Sequence, residues 1–80
     1  MTTLRELKPG ERGVVIGWAG SAPPTRLLEM GVMRGTEIEV VKLAPLGDPI
    51  EIKLRGYHLS LRKQEAEQIE IMRSMPYEEV

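Results

Sequence analysis

The feature that most constrains this chain is a pair of alternating segments joined by two residues. Residues 50–54 and 57–61 alternate between apolar and polar side chains, and Arg55-Gly56 lies between them. Alternation with a period of two is typical of strands, and Arg55-Gly56 suits a two-residue hairpin turn. The turn predicts one register, in which the six apolar side chains share a face: Leu54 with Tyr57, Ile52 with Leu59, and Ile50 with Leu61. A slip of one residue would bury charges, so this register is well specified.

Short elements are predicted before the hairpin. Thr3 and Glu6 fit a capping box around a single helical turn that points Leu4 and Leu7 inward. Residues 13–18 read as a strand in which Val14, Ile16 and Trp18 share one face. Residues 19–24 are rich in turn formers and indicate a loop.

A short helix is predicted over residues 25–30, ended by Gly31. Its apolar side would combine Leu27 and Met30 with either Leu28 or Val32. A helix of this length is not stable alone, so we expect it to dock onto the rest of the domain.

The remaining elements are also short. The alternation of residues 37–43 changes phase, which predicts a bulge near residues 40–42. Residues 45–49 form a loop, 63–66 a helical turn, and 68–71 a last strand with Ile69 and Ile71 inward. Residues 73–80 are predicted to be a flexible C-terminal tail.

The length and the elements together predict the fold class. Eighty residues make one domain, which we place at residues 1–72. About five short strands and one short helix favour an all-β fold, a small closed barrel. SH3-like and OB-like barrels both fit, and the tight central hairpin with a short final strand favours the SH3-like form.

The side chains offer little chemistry. There is no cysteine, and His58 is the one histidine. Ser60 is its neighbour on the strand face, but no third group is placed to orient the imidazole as a catalytic triad requires. Glu51 could approach His58 diagonally, but two ligands do not make a metal site. No phosphate-binding glycine motif occurs. We therefore expect no enzyme activity, no metal site and no cofactor.

The charge distribution argues against nucleic-acid binding, and the lengths of the apolar runs argue against membrane insertion. Net charge is −1, although Lys53, Arg55 and Arg62 are predicted to share the outer hairpin face. One basic face on a slightly acidic protein is a smaller basic surface than nucleic-acid binding usually requires. No apolar run approaches the ~20 residues that a spanning helix needs, and the N-terminus has no signal-peptide core. We expect a soluble protein that is not embedded in a membrane.

Binding to another protein is the remaining class of function. We predict a partner surface on the helix and the turn after it, formed by Arg26, Glu29, Met33 and Arg34, with Leu46 as a second contact. Met33 has no place in either strand pattern, and loops on a rigid barrel are where binding usually occurs. A homo-oligomer is compatible with this sequence.

Three segments resemble the family of ferrous iron transport protein A, FeoA: TRLLEMGVMRGT at 25–36, APLGDPI at 44–50, and RGYHLSLR at 55–62. The resemblance runs from about Leu4 to Ile71. It implies an SH3-like barrel in the cytoplasm that acts beside FeoB, a membrane Fe²⁺ permease with a cytosolic G-protein domain. The same domain type resembles the C-terminal module of DtxR-like metal-dependent repressors. The alternative is therefore a stand-alone regulator-type barrel that binds nucleic acid or a metal-dependent transcription regulator.

Overall fold

The computed structural model describes residues 2–20 and 25–74. A 3-10 turn over Leu4–Glu6 is followed by strands and short helices, which are β1 (Arg12–Trp18), α1 (Thr25–Glu29), β2 (Glu37–Leu43), β3 (Ile50–Leu54), β4 (Tyr57–Leu61), α2 (Lys63–Ala66) and β5 (Ile69–Arg73). The last strand includes Arg73, so the predicted tail begins one residue too early. Residues 75–80 of that predicted tail lie outside the described residues.

The strands form an antiparallel sheet in the order β4-β3-β2-β1-β5. The all-β, SH3-like fold class is confirmed, but the closed barrel is wrong, because β4 and β5 are the two outer strands and do not pair. The N-terminal segment explains this opening. The N–H of Ile71 donates to the backbone oxygen of Thr2 at 2.9 Å, and Thr3 bridges to Glu70, so the outer edge of β5 is already occupied.

The central hairpin has the predicted register, from Leu54 paired with Tyr57 to Ile50 paired with Leu61. Arg55 and Gly56 both have positive φ, 48° and 85°, which matches a type I′ turn. The shared apolar face is only partly buried, however. Tyr57 is 42% exposed and Leu59 is half-buried, because β4 is an outer strand with no neighbour on its second side.

Strand β2 carries the predicted bulge, since its register with β3 shifts between Val40 and Lys42. Strand β1 differs from the sequence pattern. Its buried face holds Val15 between two glycines, while Ile16 is 39% exposed on the other face. Gly13 shows why: a Cβ there would lie 2.7 Å from Cδ1 of Ile71. The glycine allows β5 to approach β1 closely, and Ile71 fills the space that a side chain would take.

The core is aliphatic, as expected from the absence of phenylalanine. Leu4 and Leu7 are buried in it, as predicted, and the capping box of Thr3 and Glu6 holds their turn. The predicted helical turn of α2 and the inward Ile69 are also confirmed. The buried apolar residues are Leu4, Leu7, Val15, Leu27, Val32, Ile38, Val40, Ile50, Ile52, Leu54, Leu61, Ala66, Ile69 and Ile71.

Candidate functional site

Helix α1 is held to the domain by its apolar residues. Leu27 and Val32 are fully buried, and the N–H of Val32 donates to the backbone oxygen of Leu27 at 2.9 Å. Leu28 is 41% exposed, so Val32 completes the apolar side. Gly31 ends the helix with φ +91°, a conformation that L side chains rarely adopt. A five-residue helix is thus fixed by docking.

Two polar contacts fix the ends of the same segment. At one end, Arg26 forms a salt bridge with Glu65 of α2. At the other end, the hydroxyl of Tyr57 donates to the backbone oxygen of Met30. The helix is therefore bound to α2 at one end and to the first residue of β4 at the other. These contacts fix the orientation of its exposed side relative to the sheet.

The pKa of Glu65 reflects this contact. Partial burial raises the pKa of its carboxyl group, but the N–H of Arg62 and the guanidinium of Arg26 outweigh burial and hold the pKa below the ordinary value. The N–H of Arg62 donates to Oε1 of Glu65 at 2.8 Å, so one carboxylate caps α2 and anchors α1.

The turn after α1 presents two of the predicted partner residues. The N–H of Thr36 donates to the backbone oxygen of Met33 at 3.0 Å, and Gly35 has φ +88°, as the third position of a type II turn requires. Met33 is 41% exposed and Arg34 is exposed. The turn is braced by the β3–β4 hairpin, because Nη2 of Arg55 lies 3.4 Å from Oγ1 of Thr36.

The predicted partner residues divide into two places. Arg26 and Glu29 lie on α1, next to the turn that carries Met33 and Arg34. Leu46 is 92% exposed, but its loop follows the far end of β2. A strand of seven residues is about 23 Å long, so the chain topology places Leu46 at the opposite end of β2 from the turn.

The hairpin face carries less positive charge than the sequence suggested. Arg55 donates to Thr36 in the turn over residues 33–36. It is therefore not part of a continuous basic surface with Lys53 and Arg62. Lys53 pairs across the sheet with Glu39. The outer face of the hairpin therefore mixes both signs of charge.

Glu51 and His58 meet as predicted, with Nδ1 of His58 2.9 Å from Oε2 of Glu51. No third histidine or carboxylate joins them in the part of the chain that the structure describes. At this distance the imidazole N–H can donate to the carboxylate, and the two groups form an ion pair when the imidazole is protonated. Within residues 2–20 and 25–74, no helix is long and apolar enough to cross a membrane.

Sequence reasoning missed two residues that position the site. Tyr57 was expected to point into the core, whereas its hydroxyl reaches Met30; a tyrosine at the end of an outer strand is a hint of such a polar contact. Glu65 accepts a hydrogen bond from the backbone N–H of Arg62 at the start of α2, and nothing in the local sequence links it to Arg26, 39 residues away.

Comparisons with known proteins bear on this domain as a whole. The FeoA domain model matches residues 2–73. A fusion of Fe(2+) transport protein A with the Fe(2+) transporter FeoB from Porphyromonas gingivalis is 39% identical over 69 residues. Those residues are 85% of this chain and 8% of the fusion protein, so the chain spans a small part of that relative's length.

Solved structures agree with the fold. A FeoA-like protein from Clostridium acetobutylicum has a TM-score of 0.83 and 39% identity, covering 100% of this chain and 98% of that one. The zinc complex of FeoA from Stenotrophomonas maltophilia, described as a procaryotic SH3 domain protein, has a TM-score of 0.75 and 28% identity, covering 90% and 91%. Since the family model spans nearly the whole described sequence and these folds agree with it, the chain belongs to the FeoA family.

Proposed function

We propose that this chain is a cytoplasmic accessory protein of bacterial ferrous iron uptake. In this proposal it binds the cytosolic side of a FeoB-type Fe²⁺ permease and catalyses no reaction itself. The observation that carries the proposal is the Porphyromonas gingivalis fusion, in which a domain 39% identical to this chain is joined to an Fe(2+) transporter FeoB.

The fusion supports an interaction for a physical reason. Two domains in one polypeptide meet at a high effective concentration, so a weak contact between them is populated without a separate binding step. Where a FeoA-like domain and a permease are separate polypeptides, the contact surface alone has to hold the complex together. The proposal therefore requires a binding surface on this domain.

We assign that surface to α1 and the turn after it. Met33 supplies an exposed apolar side chain on a braced turn, with Arg34 beside it and Glu29 exposed on the helix. An apolar anchor surrounded by polar residues is a common arrangement at interface hot spots. Arg26 contributes less in this account, because Glu65 already pairs with it. Leu46 would contact a different part of the partner.

The absence of catalysis is proposed from the side chains that meet. Glu51 and His58 form the one close carboxylate–imidazole contact among the described residues, and they lie on an exposed strand face with no activated nucleophile against them. The purified protein should not hydrolyse GTP. Hydrolysis that persists through purification and is lost in His58→Ala would contradict this part of the proposal.

A binding experiment tests the proposal directly. The full chain is immobilised and exposed in parallel to the cytosolic domain of its cognate FeoB-type permease and to duplex DNA. We expect the permease domain to be retained, Met33→Glu to lose it, and Lys53→Thr, on the other face of the sheet, to retain it. Retention of DNA alone would overturn the proposal in favour of a regulator-type barrel.

A further inference from the structure

Strand β4 presents a free hydrogen-bonding edge. In a two-residue hairpin, Tyr57, Leu59 and Leu61 exchange hydrogen bonds with β3. The residues between them, His58 and Ser60, therefore direct their N–H and C=O groups away from β3. Within residues 2–20 and 25–74 these groups have no backbone partner. The edge has four backbone hydrogen-bonding groups available.

The two edges of the sheet are treated differently. The β5 edge is covered by Thr2 and Thr3. The β4 edge is short, but residues 57–61 contain no proline, lysine, arginine or glycine, and their pairing with β3 has no bulge. Exposed edges of this kind are prone to pair with another strand.

The apolar face of β4 is also incompletely covered. Its pairing partners Ile50, Ile52 and Leu54 are buried, whereas Tyr57 is 42% exposed and Leu59 is half-buried although it packs against the core. A strand added beside β4 would cover both side chains and satisfy the free backbone groups at once.

We propose that the strand that binds this edge is β4 of a second copy of the chain, antiparallel, with the two-fold axis at Leu59. The segment YHLSL has its polar residues one position on either side of that leucine. In this register the N–H and C=O of His58 face those of Ser60 in the second copy, which forms four hydrogen bonds in two equivalent pairs. Leu59 meets its own copy, Tyr57 meets Leu61, and no charged residue of the paired segment faces a like charge.

The charges beyond the five paired residues are mixed. Lys63 of one copy approaches Arg55 of the other, but the Arg55 guanidinium lies against Thr36, and the carboxylates of Asp48 and Glu65 lie beside Lys63 and Arg62. The dimer should therefore depend only weakly on ionic strength. This inference does not depend on the proposed binding to the permease.

The first test measures association of the purified full chain by sedimentation equilibrium up to about 1 mM, where even a weak complex is populated. We expect a monomer–dimer equilibrium. Ser60→Pro removes an outward N–H without breaking the β3–β4 ladder, and it should raise the dimer Kd about tenfold or more. Ser60→Thr keeps that N–H and should behave as the wild type. A protein that stays monomeric at about 1 mM would overturn the inference.

A second test fixes the register and remains informative if Ser60→Pro fails to fold. The chain has no cysteine, so single-cysteine variants report one position each. Leu59→Cys places two thiols on the two-fold axis at a separation that a disulfide spans. His58→Cys separates them diagonally, at about 8 Å or more between Cα atoms, which is beyond disulfide reach. Under mild oxidation we expect a covalent dimer from the first variant and not from the second. Equal cross-linking of both would contradict the register.

Discussion

At the residue scale, the burial of Ile52 tests the predicted register of the hairpin. It is fully buried, while its neighbour Lys53 is exposed opposite Glu39. We predict that Ile52→Asp loses about 4 kcal/mol or more of folding free energy, because it buries a charge in a small core. Lys53→Thr keeps β propensity and avoids placing a carboxylate against Glu39, so it should change stability by less than about 0.5 kcal/mol. Urea unfolding measures both. Equal losses in the two variants would mean that the face assignment is wrong.

Glu65 gives the domain an acid-sensitive contact. Its folded-state pKa lies below the ordinary value of 4.5, so its carboxylate adds stability that is present above that pH and is lost as pH falls through the folded-state pKa. We predict that Glu65→Gln lowers Tm at neutral pH and that the difference from the wild type shrinks below pH 4.5. Thermal melts across that range measure it.

The control for this pH series is Glu29→Gln, which neutralises an exposed carboxylate on α1 and should leave Tm nearly unchanged at neutral pH. A gap between wild type and Glu65→Gln that stays constant down to acidic pH would contradict the stabilising role of the ionised carboxylate.

At the element scale, the stability of α1 depends on the polar contacts at its two ends. The hydroxyl of Tyr57 donates to Met30 at the end of the helix, and Tyr57→Phe removes only that bond. We predict a loss of about 1 kcal/mol, expressed locally as faster amide exchange at residues 26–31 while the β3–β4 ladder keeps its protection. Hydrogen exchange followed by NMR measures both regions. Unchanged exchange in residues 26–31 would show that the contact does not hold the helix.

The elements differ in how well the sequence predicted them, for physical reasons. The β3–β4 register follows from a local turn and a strict alternation, so short-range rules were enough. Strand β1 was harder, because Gly13 contributes no side chain to the buried face, and the apolar Ile16 faces outward. Its orientation depends on the close approach of Ile71 from the other end of the chain.

At the scale of the whole molecule, the all-β class and the strand number were predictable, but the opening of the sheet was not. Whether β4 meets β5 depends on the N-terminal residues that occupy the β5 edge, a contact between distant parts of the chain. Local sequence patterns also did not predict which of the proposed partner residues lie close together in the fold. Met33 and Arg34 are close in sequence and share one turn, whereas Leu46 is separated from them by the length of β2.

The central claim is that this FeoA-family domain supports Fe²⁺ uptake by binding a permease through the turn that carries Met33. The measurement that tests it most directly is Fe²⁺ uptake in cells that lack the chain and are supplied with wild type or Met33→Glu. The level of folded protein and the Tm of the purified variant are measured in parallel.

Because Met33 is exposed on a braced turn, the account predicts that Met33→Glu keeps its Tm within about 2 °C and its folded level, while uptake falls. If Tm falls first and uptake declines only in proportion to folded protein, Met33 belongs to the fold and the claimed partner surface is contradicted.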